Sequence, residues 1–401
     1  MGMEIVFDAN NLIKAFYKTS QETEWKESVQ TYDLNLLQNI HDTIKDWEDG
    51  HFRLGTTHNF PIHERGHARL IKSNHIRDRV VLVSFVDNVL IPKMRPLLVY
   101  DNGASLKGKG IDFSRRRFCV HLNRFYKRHG NHGYIRFFNF SKYFDNIRHD
   151  ITLEMLSEIL EPDELAFIRM VFATFATDLS ELSEEEFRRL DDGIFNSLDY
   201  VHLKQPGERK QILHKGIGIG SPVSQAVGTF FPYKLDNYIK TVLGVKEYGR
   251  YMDDFYIMAE TVEQLDEWTV KIKEQCAKYR LFLSEKKIRT CRMDSEFVYL
   301  KTIYRVMDNG RILKRIHNSA VVRERKRFKK HKRLIEQGRM ILKDAQLCYR
   351  GWRGCYQKLD SKKEIHKLDI YFKDVFEVEW YDIISVQRGK TNKTQKKKKK
   401  K

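Results

Sequence analysis

Between residues 1 and 50, Leu36, Leu37, Ile40, Ile44 and Trp47 recur at helical spacing on one face, which predicts helices. The period then shortens. Residues 51–80 hold short β-like pieces parted by turn residues, 80–95 read as a buried helix, and 100–117 as a Gly- and Lys-rich loop entering a basic helix. "GYIRFFNF" (133–140), aromatic and β-branched, reads as a strand. Acid-rich helices are expected over 148–192, and a loop leading into a helix over 215–228. Two short apolar runs within 248–259 flank Asp253 and Asp254, predicting a hairpin with both acids at its tip. A helix should cover 262–280, and a hairpin turning at Asn309-Gly310 should cover 297–316. From about 318 the pattern is that of basic helices; after 386 it is polar, Lys-rich and expected to be disordered. No internal repeat is visible.

Composition narrows the partner. The 401 residues (47.9 kDa) suffice for two or three domains, or one lobed body, and 12% aromatics supply a core. The net charge is +19; removing Lys390, Lys393 and the six lysines of 396–401 takes away 8 and leaves +11, so the body itself is basic. Such a surplus points to a polyanion, either nucleic acid or an anionic membrane. A membrane-surface role would need a second anchor, and none is visible. The most apolar stretch, 80–92, is broken by Asp87 and Asn88 and is too short to span a bilayer. Cys119, Cys276, Cys291, Cys348 and Cys355 are odd in number and form no C-x-x-C pair, which favours free thiols in a reducing compartment. With no signal peptide visible, a cytoplasmic protein is expected.

Two adjacent carboxylates between apolar runs are costly to hold unless a cation is near. At a hairpin tip their side chains diverge, so one can ligate a metal while the other supports it. Nucleotidyl transfer uses such acids to hold two Mg²⁺ ions about 4 Å apart. Asp-Asp alone reads as a solvated turn. The full string Tyr251-Met252-Asp253-Asp254, however, resembles motif C of reverse transcriptases.

Other motifs of that family follow in order. "NFSKYFDNIRHD" (139–150) is similar to motif A, with Asn139 where the family has Asp. Phe140 beside it joins the metal and nucleotide sets, and Phe144 holds the place of the steric gate that excludes a ribose 2′-OH. "IGSPVSQ" (219–225) is similar to motif B, which puts Gly220 and Gln225 near the incoming nucleotide. Its Ile219-Gly220 and Ser224-Gln225 pairs resemble the bacterial diversity-generating retroelement and antiphage-defence branch. "LSEKKI" (283–288) resembles motif D, making Lys287 a candidate proton donor to pyrophosphate, and "FVYLKT" (297–302) resembles the motif E primer grip. "RLIKSNHIRDRVV" (69–81) resembles the fingers segment, with Arg69, Lys72 and Arg77 as candidates for the triphosphate. "NGASLKGKG" (102–110) would bring Lys107 and Lys109 to backbone phosphates. "YRGWRGCY" (349–356), with Trp352, resembles the thumb, where Arg323, Arg325, Arg327, Lys329 and Lys330 would line a duplex. The resemblance covers roughly residues 60–370.

The resemblance implies an α+β right-hand polymerase. After an N-terminal helical segment (1–50) come fingers (51–132), an antiparallel-sheet palm (133–317, with a helical insertion about 150–212), a helical thumb (318–386) and a tail (387–401). No RNase H domain is expected. The implied activity is RNA-directed DNA synthesis with two Mg²⁺ ions (Mn²⁺ as the alternative) on an RNA template, a DNA primer and deoxynucleoside triphosphates, in a bacterial retroelement or defence system. A dedicated non-coding RNA or small accessory protein would be further partners; a membrane would not. Asn139 departs from this pattern. An amide keeps a carbonyl oxygen but lacks the charge that two divalent cations need, so polymerisation should be impaired. Asp145, beyond the gate, is not an obvious substitute. Three explanations stand open: an introduced substitution, a degenerate polymerase that binds RNA as a scaffold, or a site that tolerates Asn. Template-independent DNA synthesis is a further rival.

Overall fold

The computed structural model describes residues 2–21, 23–64, 66–203 and 210–382. The chain forms two compact units, Met1–Phe125 with Gly133–Thr290, and Tyr126–His132 with Cys291 onward. In the first unit one continuous core joins the N-terminal helices Ala9–Ser20, Glu27–Leu34 and Leu36–Glu48 to the strands and helices that follow. Ile40 is buried and Leu36, Ile44 and Trp47 pack on that core, but Leu37 is 72% exposed, so the apolar stripe is narrower than the sequence implied. The expected buried helix is Ile76–Phe85, continued through a π turn at Val86–Leu90 into Ile91–Met94. Val80, Val81, Leu82, Val83 and Phe85 are all buried, as expected of a helix enclosed on every side.

Two strands before it, β1 (His58–Glu64) and β2 (His67–Ser73), pair antiparallel. Three strands of the four-stranded sheet that carries the acids, β3 (Tyr134–Asn139), β4 (Tyr248–Tyr251) and β5 (Asp254–Ala259), lie in the order β4-β5-β3, each antiparallel to its neighbour. Every residue of β3 after Tyr134 is buried, Arg136 and Asn139 included, so both faces of this strand are covered. Its register places Asn139 opposite Asp254.

The helical insertion expected over about 150–212 divides in two. Helices His149–Ser157 and Pro162–Ala173 give Met155, Leu156, Phe167, Ile168, Val171 and Phe172 to the main core. Only the stretch from Thr177 to Leu213 has a separate small core, of Leu179, Leu190, Phe195 and Leu213, and a two-residue ladder closes its base (Thr177↔Leu213, Asp178↔Ile212). Acidity runs through both parts, so composition could not separate them; burial does.

In the second unit the hairpin expected at 297–316 is a three-stranded meander, Phe297–Tyr299, Thr302–Val306 and Ile312–Ile316. Leu300 and Lys301 take φ of 43° and 62° and make a tight turn inside what reads as a single apolar run. Helices Asn318–Glu336, Leu342–Tyr356 and Lys362–Phe376 pack around Phe328, Tyr349, Leu368 and Phe372. The expected disordered tail lies outside the described residues, among which no helix is long and apolar enough to cross a membrane.

Candidate active site

The hairpin tip is a two-residue turn, Met252-Asp253, closed by the Tyr251↔Asp254 pair. Met252 lies at φ 54°, in the left-handed region, a strain of about 1–3 kcal/mol that the surroundings must hold. Arg250 does the holding. Fully buried, it donates from Nε and Nη2 to the Asp236 carboxylate (2.8 and 2.7 Å), from Nη1 to the Met252 carbonyl (3.0 Å) and from Nη2 to the Thr229 carbonyl (2.8 Å). Tyr248 Oη also donates to Asp236, on helix Tyr233–Asn237. Burial alone would lower the Arg250 guanidinium; the Asp236 carboxylate outweighs it and holds the group above its ordinary value. The sequence reading passed over both residues. An arginine one position from the acid-bearing turn, in phase with the buried face of a strand, was the available signal for Arg250; Asp236 had none.

Asn139 Nδ2 donates to Asp253 Oδ2 (2.7 Å) and to Asp254 Oδ1 (2.9 Å), while its Oδ1 accepts from Lys287 Nζ (2.8 Å). Carboxylates only accept and an ammonium only donates, so the amide has one sensible orientation. The Asp254 carboxyl is pushed above the usual carboxylate range, first by desolvation of its inner side and then by the charge of Asp253. Asn139, Asp253, Asp254 and Lys287, proposed from sequence as one catalytic set, are thus within direct contact. Two carboxylate oxygens converge on one point, now taken by the amide nitrogen. That donor set suits a divalent cation if Asn139 turns its oxygen inward, and among the described residues no third acid joins it. The Phe140 ring is buried and stacked on Tyr143 (5.2 Å), so this residue meets the site through its main chain, Phe140 N donating to the Asp253 carbonyl (3.1 Å).

Phe144 is half-buried on the turn after β3, and Gln225 is exposed on helix Pro222–Phe230. Gly220 sits at φ 120°, and a Cβ there would lie 3.0 Å from the Lys72 carbonyl, so this close approach requires glycine. The proposed triphosphate cations separate. Arg69 is exposed. Lys72 is buried with Nζ on the Phe175 carbonyl (2.7 Å), and burial pulls its ammonium down to about 8. Arg77 is turned toward Phe52, 4.9 Å from the ring, and toward Asp46. Arg79, which the sequence reading passed over, instead donates to the Gly220 carbonyl (2.9 Å). Lys107 is exposed, whereas Lys109 donates to the carbonyls of Tyr100 (2.8 Å) and Asn102 (2.9 Å) and so holds its own loop. Asp145 accepts a hydrogen bond from Ser197 Oγ (2.8 Å).

In the second unit, Arg323, Arg325, Lys329 and Lys330 are exposed on helix Asn318–Glu336. Arg327 is partly engaged by Glu324 (2.6 Å) and the Cys348 carbonyl (3.1 Å). Trp352 is partly buried and packs on Tyr349 and Tyr356 at the edge of the helical core.

The sequence profile of the reverse transcriptase (RNA-dependent DNA polymerase) family matches residues 81–302, more than half of the chain. No curated protein matches in sequence. Among solved structures, apo telomerase from Candida tropicalis is similar at 12% identity and a TM-score of 0.44, covering 69% of this chain and 53% of that one. The same telomerase truncated from its C-terminal domain is similar at 12% identity and a TM-score of 0.42, covering 70% and 60%. This chain therefore spans little more than half the length of those telomerase chains. With motifs A, C and D meeting at one hairpin tip and the family profile running across them, the chain belongs to the reverse transcriptase family, with that family's α+β right-hand polymerase fold.

Proposed function

We propose that the chain is an RNA-directed DNA polymerase, extending a DNA primer on an RNA template with deoxynucleoside triphosphates. The observation that carries this reading is the convergence of Asn139, Asp253, Asp254 and Lys287 at the β4–β5 tip. In this reading Asp253 and Asp254 hold divalent cations, two Mg²⁺ in the full arrangement. Bound there, they would neutralise phosphate charge and lower the pKa of the primer 3′-OH. Lys287 stands ready to give a proton to the leaving pyrophosphate, Phe144 limits the sugar, and Arg79 steadies the Gly220 loop beneath the base. Residues 51–132, 133–317 and 318–386 serve as fingers, palm and thumb, and Lys329 and Lys330 meet the duplex. The Ile219-Gly220 pair supports a bacterial retroelement or defence setting, in the cytoplasm.

A second reading has its own observation. The Asn139 amide already bridges both carboxylates where a cation would sit. That favours an RNA-binding scaffold with weak or absent catalysis. Primer extension on an RNA template with Mg²⁺, comparing the chain as it stands with Asn139→Asp, separates the two. The polymerase reading expects Asn139→Asp to extend at least about 100-fold faster, the usual order for a lost charge contact in a transition state. Extension by neither protein, with RNA still bound tightly, would leave the scaffold reading.

A further inference from the structure

The turn that carries Phe144 is strained at its entry: Lys142 lies at φ 43°, ψ 49°, and lysine has no local preference for that region. Its carbonyl accepts from Asp145 N (3.0 Å) and from Asn146 Nδ2 (2.9 Å). Asn146 is 1% exposed, and the same side chain reaches into the Thr177–Leu213 module. There Nδ2 also donates to the Phe195 carbonyl (3.0 Å), and Oδ1 accepts from Phe195 N (2.8 Å). The amide thus reproduces the two-point pairing of antiparallel backbone, and its three contacts fix which end is nitrogen.

Two neighbouring contacts tighten the same joint. Ser197 Oγ donates to Asp145 Oδ1 (2.8 Å). Lys215 Nζ donates to the carbonyls of Leu190 (3.2 Å), Asp191 (3.3 Å) and Gly193, capping the C-terminal end of helix Glu184–Asp192 with a cation. Chain continuity then carries the constraint to the gate, since Gly216 N donates to the Ile147 carbonyl (2.9 Å) and Ile217 N to the Phe144 carbonyl (2.8 Å). On its other side the Phe144 ring lies against Gly228, where even a Cβ would approach to 3.0 Å. The ring is therefore held by a joint whose far half is the inserted module.

We propose that Asn146 is a positioning residue for sugar selection: it clasps the Thr177–Leu213 module to the turn that carries Phe144 and so fixes the gate ring. It touches no nucleotide. The inference rests on the polymerase reading and on Phe144 as the gate. A displacement of about 1 Å in such a ring is enough to change discrimination by an order of magnitude.

The test measures equilibrium binding of the next correct deoxynucleotide and its ribonucleotide to the full chain on a DNA-primed RNA template in Mg²⁺. The proteins compared are the unaltered chain, Phe144→Val, Asn146→Ala and Ser197→Ala, each with a thermal melt. Asn146→Ala should lower the deoxy-over-ribo preference roughly tenfold, with Ser197→Ala moving the same way by less. A merely structural role would weaken both nucleotides alike and leave the ratio unchanged. If Phe144→Val shifts the ratio while Asn146→Ala and Ser197→Ala do not, this inference falls and the polymerase reading survives. If Asn146→Ala fails to fold, Ser197→Ala decides on its own, an unchanged ratio counting against the proposal. If the unaltered chain shows no preference and Phe144→Val changes nothing, the gate assignment falls and this inference falls with it.

Discussion

At the scale of single residues, Asn139 sets the terms of the site. As an amide it gives two hydrogen bonds to Asp253 and Asp254, and it needs no cation to hold the tip together. Asn139→Asp would exchange those two donors for a third negative charge, offset in part by Lys287, which already bonds Asn139, and by Arg289, whose charge reaches Asp254. Without divalent cations that exchange should cost about 1–3 kcal/mol, read as a lower melting temperature in EDTA. Added Mg²⁺ should restore the variant while moving the unaltered chain little; equal melting of both proteins in EDTA would contradict this. Lys72 makes a second residue-scale case. Its folded value, about 8, lies below the ordinary 10.5. The unfolded chain therefore binds more protons between these two values, and stability should rise with pH from about 8 to about 10.5 by about 3 kcal/mol at most. Lys72→Met should flatten that rise in urea titrations across the window; an unaltered slope would show that another group produces it.

At the scale of elements, the acid-bearing hairpin owes its shape to a buried ion pair on its edge strand. Removing one partner of such a pair leaves an uncompensated charge and costs about 3–5 kcal/mol. Asp236→Asn should therefore destabilise strongly in denaturant unfolding, and Arg250→Met with Asp236→Leu should recover much of the loss. A single variant within about 0.5 kcal/mol of the unaltered chain would show that the pair is not what secures the Met252 turn. The hairpin itself was legible in the sequence, because two apolar runs around an acidic pair leave few alternatives. The helices were legible as well, except where burial on one face departs from spacing, as at Leu37. What spacing could not carry was long-range: that Arg250 would meet Asp236, that Arg77 would turn to Phe52, or that Lys72 would end on the Phe175 carbonyl. Each of those cationic side chains has the same local signature as a phosphate ligand, and only tertiary packing decides which carbonyl, ring or acid it meets. The turn at Leu300-Lys301 was hidden for another reason, since neither residue announces a left-handed backbone.

At the scale of the whole molecule, the surplus of positive charge is a statement about partners that the folded structure makes selective. Of the +19, some lysines serve internal bonds and some face water. Lys329 and Lys330 are exposed on helix Asn318–Glu336, whereas Lys109 is committed to the Tyr100 and Asn102 carbonyls. Only cations that neutralise phosphates release counterions, so the logarithm of affinity should fall with the logarithm of salt at a slope set by such contacts alone. Replacing both Lys329 and Lys330 by Gln should reduce that slope by roughly 2 for a primer–template duplex. Lys109→Gln should leave the slope unchanged while lowering thermal stability, because it removes two bonds that close the 100–109 loop. Fluorescence-anisotropy titrations at several salt concentrations read both. A slope that falls as much for Lys109→Gln as per lysine replaced at positions 329 and 330 would mean that charge acts as a diffuse cloud, and that the division between structural and contact lysines has no bearing on binding.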